Sequence, residues 1–169
     1  MLFRSDLQVM LYDIPPRSVV PIEVDTLVRL AEHPRIVAVK DAKGDLGAVM
    51  RTLARTDLAY YSGEDLLNLP LLAVGAVGVV SVAGHLVGPR LAELITAVES
   101  GDLVKARAVN ESLLPVYTGL FRTQGVILTK AALREIGLPS GPVRPPLVDA
   151  TPEQRAQLRT DLADGGIHL

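Results

Sequence analysis

Four short runs of apolar, β-branched or aromatic residues recur along the first part of the chain, at residues 8–12, 36–39, 59–62 and 78–82, with helix-like stretches between them. Their starts lie about 20 to 30 residues apart, the spacing that compact βα units require. The run Ile36-Val37-Ala38-Val39 lacks polar alternation, so it suits a strand buried on both faces. Pro15 and Pro16 end the first run because neither can donate to a sheet ladder, and a loop is expected after them. Residues 23–32 gather Val24, Leu27, Val28 and Leu30 on one side and open with acid, the pattern of an amphipathic helix. Asp45 is placed to cap a helix through Leu46, Val49, Met50 and Leu53, with Gly44 freeing the turn before it. Residues 66–74 read as an apolar helix that starts or kinks at Pro70. Strand and helix therefore alternate, which is the signature of βαβ units on a parallel sheet.

Beyond the fourth run the pattern is helical throughout. Residues 89–100, 104–121 and 125–136 carry apolar positions at three- and four-residue spacing. A proline-rich passage over 139–146 precedes a polar helix at 152–163, which Gly165-Gly166 ends. A chain of 169 residues, 49% hydrophobic, is long enough to bury a core and argues for one domain. Its mean hydropathy is +0.31. Within that domain, βα units are expected over residues 1–100, with a helical extension over 101–169 packed on them.

Charge and composition exclude several classes of partner. A net charge of −2, from 17 basic and 19 acidic residues spread along the chain, leaves no footprint for nucleic acid or an anionic membrane. With no cysteine, and with His33, His85 and His168 as the only imidazoles, neither a disulfide framework nor a metal centre is expected. No cofactor is expected either. The opening Met1-Leu2-Phe3-Arg4-Ser5-Asp6 lacks the apolar core of a signal peptide, and every longer apolar run is interrupted before it could span a bilayer. The expectation is a soluble, cytoplasmic protein.

In parallel α/β sheets the chemistry sits at the carboxyl ends of the strands. The residues there are Tyr12 and Arg17, then Lys40 and Asp41, then Ser62, Gly63 and Glu64, then Val82, Gly84 and His85. An amine at a strand mouth, like Lys40, loses part of the water that stabilises its ammonium form, which makes the neutral nucleophile accessible for Schiff-base chemistry. A tyrosine can pass protons and an arginine can clamp a carboxylate through parallel hydrogen bonds. Together they suit a keto-acid site. Plainer readings compete at each position: Lys40 as a snorkelling strand end, Tyr12 as a rim aromatic, Arg17 as a solvated loop charge. Gly63, Gly75, Gly78 and Gly84 read as turn glycines more simply than as a phosphate cradle, since no phosphate-loop motif accompanies them. Of the adjacent Glu64 and Asp65, one is expected to cap a helix and the other to be solvated.

Several motifs match a known family in order and spacing. Tyr12-Asp13-Ile14-Pro15-Pro16-Arg17-Ser18, the stretch Val37-Ala38-Val39-Lys40-Asp41-Ala42-Lys43-Gly44-Asp45, then Ser62-Gly63-Glu64-Asp65 and Gly78-Val79-Val80-Ser81-Val82 together resemble the second half of the dihydrodipicolinate synthase (4-hydroxy-tetrahydrodipicolinate synthase) family. Leu113-Leu114-Pro115 and Lys130-Ala131-Ala132-Leu133 resemble the helices that follow the barrel in that family, and the likeness spans residues 9–163.

The resemblance implies the C-terminal half of a (β/α)₈ TIM barrel, four βα units followed by an all-helical segment, in the pyruvate-dependent class I aldolase superfamily. It implies a lyase of lysine biosynthesis that condenses pyruvate with aspartate semialdehyde through a lysine imine. On it, Lys40 matches the imine-forming lysine and Tyr12 the tyrosine that relays protons. Arg17 matches the arginine that binds the carboxylate of aspartate semialdehyde, which favours this branch over sialic acid and keto-deoxy sugar acid lyases. Gly63 and Val80 match positions that line the pyruvate pocket through backbone atoms. Because the likeness begins at the family's fifth strand, the groups that grip pyruvate from the other side are expected to come from elsewhere. Two readings stay open: a synthase truncated or completed by a second half-barrel chain, inactive alone, or a non-catalytic half-barrel that acts as an oligomerisation or regulatory partner.

Overall fold

A computed structural model describes residues 6–168. The opening stretch 1–5, part of the segment read above for signal-peptide character, lies outside the described residues. The chain forms two compact units, Met1–Val80 and Ser81–Leu169.

The first unit holds the sheet. Its elements are β1 (Val9–Asp13), α1 (Pro15–Ser18), α2 (Val24–Ala31), β2 (Ile36–Asp41), α3 (Leu46–Leu53), β3 (Ala59–Ser62), a 3₁₀ turn (Asp65–Leu67), α4 (Asn68–Ala73) and β4 (Gly78–Val79). All neighbouring strands are parallel and their spatial order is β1-β2-β3-β4, the same as their order in the chain. A doubly wound sheet reverses direction at a switch point; this one does not, so each βα unit simply adds the next strand, as around a barrel. The expectation for β2 holds, with Ile36, Ala38 and Val39 buried. Leu27 of α2, Val49 of α3, Tyr60 of β3 and Leu71 of α4 are buried with them in the core of this unit.

Local sequence rules explain most boundaries. Asp45 caps α3 by accepting from the Ala48 amide at 2.8 Å, and Gly44 before it adopts φ +82°, where a side chain would be strained. Met50 departs from the amphipathic expectation for α3, lying half in solvent. The expected loop after β1 contains one helical turn, α1, with proline at its first positions, where the missing N–H costs nothing. Val19 then follows at φ 68°. A β-branched residue there is strained by about 1–3 kcal/mol. β4 ends at Val79 instead of residue 82, because β3 offers no ladder partner beyond Ser62.

The second unit is helical: α5 (Gly84–Glu99), α6 (Leu103–Leu120), α7 (Gly125–Glu135) and α8 (Pro152–Asp164). α5 starts five residues before its expected start at Pro89, with a break in helical geometry at Val87. It packs on α6 and α7, while α8 packs on α6 and α7. Leu91 and Leu94 of α5 are buried. Arg122 forms a bidentate pair with the buried Asp161, at 2.6 and 2.8 Å. Thr151 and Gln154 form a capping box at the start of α8. No helix among the described residues is long and apolar enough to cross a membrane.

Replacing Asp45 with alanine removes the one side-chain acceptor at the start of α3 and lowers stability by about 1 kcal/mol. Denaturant unfolding of the two proteins measures it; an unchanged midpoint would show that the cap contributes nothing.

Candidate functional site

Strand alternation sorts the ends of β1, β2 and β3 onto two faces. Register places Tyr12 beside Lys40 and Lys40 beside Tyr61, while the following residues, Asp13, Asp41 and Ser62, line up on the opposite face. The first face is partly open, with Tyr12 46% exposed. The second is closed: Asp13, Asp41 and Ser62 are 1%, 3% and 0% exposed.

On the open face the Lys40 ammonium lies 4.1 Å from the centroid of the Tyr12 ring. The electron-rich ring face attracts the cation by about 0.5–1 kcal/mol at a site this exposed, which tethers the amine beside the phenol. Gly63 sets the path of the lysine stem. A Cβ added there would come 2.8 Å from both Cγ and Cε of Lys40 and 3.0 Å from the Asp41 carbonyl oxygen. The stem thus lies across the Gly63 backbone, and no other residue type leaves that space. Gly78 does the same for Tyr61, since a Cβ there would meet two ring carbons at 3.1 Å.

Of the residues singled out in the sequence, the structure brings Tyr12, Lys40 and Gly63 into contact. Arg17 is exposed on α1, and Val80, just past β4, is 40% exposed. The Gly63 amide donates to the Asp41 carbonyl and the Val80 amide to the Ser62 carbonyl, both at 2.7 Å. Those amides are spent on the sheet, which leaves the carbonyls as the backbone groups these positions can offer a ligand. Glu64 forms no capping bond, and Asp65 is buried with the Asn68 side-chain amide donating to it at 3.2 Å. His85 is an exposed residue of α5 in the second unit and lines a cavity of about 330 Å³ with Val82, Val126, Leu133 and the polar Thr129, Lys130 and Ser140.

Beneath the open face, sequence reasoning named Asp41 and Ser62 only as strand-end residues and missed Asp13 and Lys43. Asp41 accepts from the amides of Lys43 and Gly44 at 3.2 and 3.3 Å, and Asp13 accepts from the Ile22 amide at 3.1 Å. The Lys43 ammonium lies 3.8 Å from the second oxygen of Asp13. Burial raises the Asp41 carboxyl above its ordinary range; the Gly44 and Lys43 amides oppose that, the Asp13 charge adds to it and the Lys43 charge opposes it. The signal was present but indirect. In a parallel pair, the residue after Tyr12 must face the residue after Lys40, so two adjacent acids in the sequence motifs become one buried pair. Tyr61 and Gly78 follow from the same register.

Comparison with known proteins bears on this arrangement. A family model described as the dihydrodipicolinate synthetase family matches residues 2–164. A 4-hydroxy-tetrahydrodipicolinate synthase of Streptomyces coelicolor is 63% identical over 165 residues, 98% of this chain and 55% of the relative. A solved dihydrodipicolinate synthase of Cyanidioschyzon merolae, with lysine bound, superposes with a TM-score of 0.92 at 41% identity, over 95% of this chain and 55% of that one. Another from Acinetobacter baumannii, complexed with pyruvate, gives 0.90 at 33% identity, over 96% and 57%. The chain spans about half the length of the curated relatives it matches. Its four-stranded parallel sheet and following helices are half of a (β/α)₈ barrel with the all-helical segment that follows it.

Two outcomes test this geometry. Gly63→Ala pushes the Lys40 stem off its path, so acylation of Lys40 by an amine-directed reagent, followed by peptide mass spectrometry, changes while Lys105 and Lys130 label as before; equal labelling of Lys40 in both proteins would show the contact to be slack. Because the folded-state carboxyl of Asp41 titrates above its unfolded value, its contribution to stability is present at low pH and lost as pH rises through that raised value. Asp41→Asn keeps the acceptor oxygen and removes the charge, so its melting temperature relative to wild type rises as pH increases above about 4, the ordinary carboxylate range. A constant offset across that range would contradict the assignment.

Proposed function

The chain belongs to the dihydrodipicolinate synthetase family, and on that premise we propose that it carries the Schiff-base half of a synthase site that condenses pyruvate with aspartate semialdehyde in the cytoplasm. The observation that supports this reading most is the Lys40 ammonium held over the Tyr12 ring at 4.1 Å, with its stem laid across Gly63. In the proposed reaction the neutral Lys40 amine attacks the keto carbon of pyruvate, and water leaves to give an iminium. That cation withdraws electrons from the neighbouring methyl group, which loses a proton to form an enamine; the enamine carbon then bonds to the aldehyde carbon of the second substrate. The amine of aspartate semialdehyde then attacks the imine carbon to close the ring, and the Lys40 amine leaves that carbon as its free form, so the water released at imine formation is the one water lost overall. Tyr12 is proposed to relay the protons, since its hydroxyl belongs to the ring that faces the amine. Arg17 is proposed to take the carboxylate of aspartate semialdehyde through paired hydrogen bonds. Gly63 and Val80 are proposed to line the pyruvate pocket with their carbonyls.

The remaining groups of such a site are proposed to come from further βα units, in the same polypeptide or in a partner chain, covering the edge strand β1. Met10 and Tyr12 of that strand, 42% and 46% exposed, would then be enclosed. A homo-oligomer is proposed in keeping with that incomplete face.

Borohydride reduction in the presence of pyruvate tests the central claim. One reduced pyruvyl adduct is expected on Lys40, with none in Lys40→Ala, whose melting temperature is expected to stay close to wild type because the amine is at the strand mouth. The chain is assayed alone and mixed with the complementary portion of a relative's chain. No adduct in either case, with both proteins folded, would end the proposal.

A further inference from the structure

The connection between β1 and α2 carries Arg17 and then takes an expensive turn. Val19 sits at φ 68° with its side chain 84% exposed, so no packing of that side chain compensates the backbone strain. Such a conformation persists where the surroundings over-determine it. Two features do so here. The Ser18 hydroxyl is within 3.0 Å of the Ile14 carbonyl and 3.1 Å of the Val20 carbonyl. Beyond them, both backbone groups of Ile22 are held by the two ends of one ion pair. The Ile22 amide donates to Asp13 at 3.1 Å, and the Ile22 carbonyl accepts from the Lys43 ammonium at 3.2 Å.

The pair is shielded from water, with the Lys43 side chain 14% and the Asp13 side chain 1% exposed. Lys43 is in turn fastened to β2, because its own amide donates to Asp41. It therefore links the strand end that bears Lys40 to the far end of the loop that bears Arg17. We propose that Lys43 is a positioning residue: by clamping Ile22 against Asp13, it holds the strained loop in the shape in which Arg17 meets the carboxylate of the second substrate. This inference rests on the role proposed above for Arg17. It predicts that loss of the Lys43 charge damages carboxylate recognition and spares imine formation, since Lys40 is held by Tyr12 and Gly63 on the other face.

The test compares wild type with Lys43→Met, which keeps the stem and removes the charge, and with Lys43→Arg. Three readouts are taken: amide exchange of peptides covering residues 14–22, modification of Arg17 by phenylglyoxal with and without succinate as a carboxylate probe, and the borohydride-trapped pyruvate adduct on Lys40. Loss of one charge-assisted bond in Lys43→Met is expected to speed exchange of the loop about tenfold. It also removes the succinate protection of Arg17 seen in wild type, leaves the Lys40 adduct in place, and is rescued by Lys43→Arg. Unchanged protection in Lys43→Met overturns the inference. So do equal losses of protection and adduct, failure of Lys43→Arg to rescue, or collapse of both variants, because each makes Lys43 either dispensable or a general support of the fold. Absence of protection in wild type removes the role of Arg17 and the inference with it. Protection without any pyruvate adduct in wild type defeats the Schiff-base reading alone, and the Lys43 variants still decide the clamp.

Discussion

The register between β1 and β2 is the constraint on which the rest of this molecule depends. Side chains alternate along a strand, so one pairing settles two layers at once: Tyr12 beside Lys40 on the open face and Asp13 beside Asp41 on the closed one. A slip of one residue would turn the tyrosine or the lysine into the buried layer and bring a carboxylate out beside the other. The closed layer therefore guards the open one. Two buried acids tolerate only the arrangement in which the Ile22, Lys43 and Gly44 amides and the Lys43 ammonium reach them.

The magnitudes explain how an exposed loop with a strained residue can stay in place. Val19 costs about 1–3 kcal/mol, and a hydrogen bond to a charged group returns about 1.5–3 kcal/mol. Ile22 takes part in two of them, one to Asp13 and one from Lys43. Together the two bonds outweigh the strain at Val19, which keeps the loop in place. The lysine is held differently, by a strand, a ring and a glycine, so Lys40 and the loop answer to separate supports.

Much of the architecture was legible because it rests on local rules. The β-branched run before Lys40, the Asp45 cap and the positive φ of Gly44 involve neighbours in the chain and read directly from it. α6 and α7 appear within a residue of the ends that apolar spacing indicates. The failures are as informative. Pro15 and Pro16 exclude a strand but equally suit the first turn of a helix, and the sequence alone does not choose between a loop and α1. The length of β4 was set by the neighbouring strand and not by its own apolar residues, which run on to Val82.

Lys40, Tyr12 and Gly63 could be named from the chain because each stands beside a strand end in a motif, and those three are the residues that meet. Tyr61, Gly78, Asp13 and Lys43 could not, because their roles arise only when separate strands are laid side by side in one register. The sequence by itself determined a parallel α/β chain with a lysine at the mouth of its second strand, since hydrophobic period and turn chemistry are properties of contiguous residues. Only the tertiary structure decided that this lysine lies over Tyr12 and that a buried ion pair clamps Ile22, because distance between residues far apart in the chain is set by packing, and packing is settled by all the strands together.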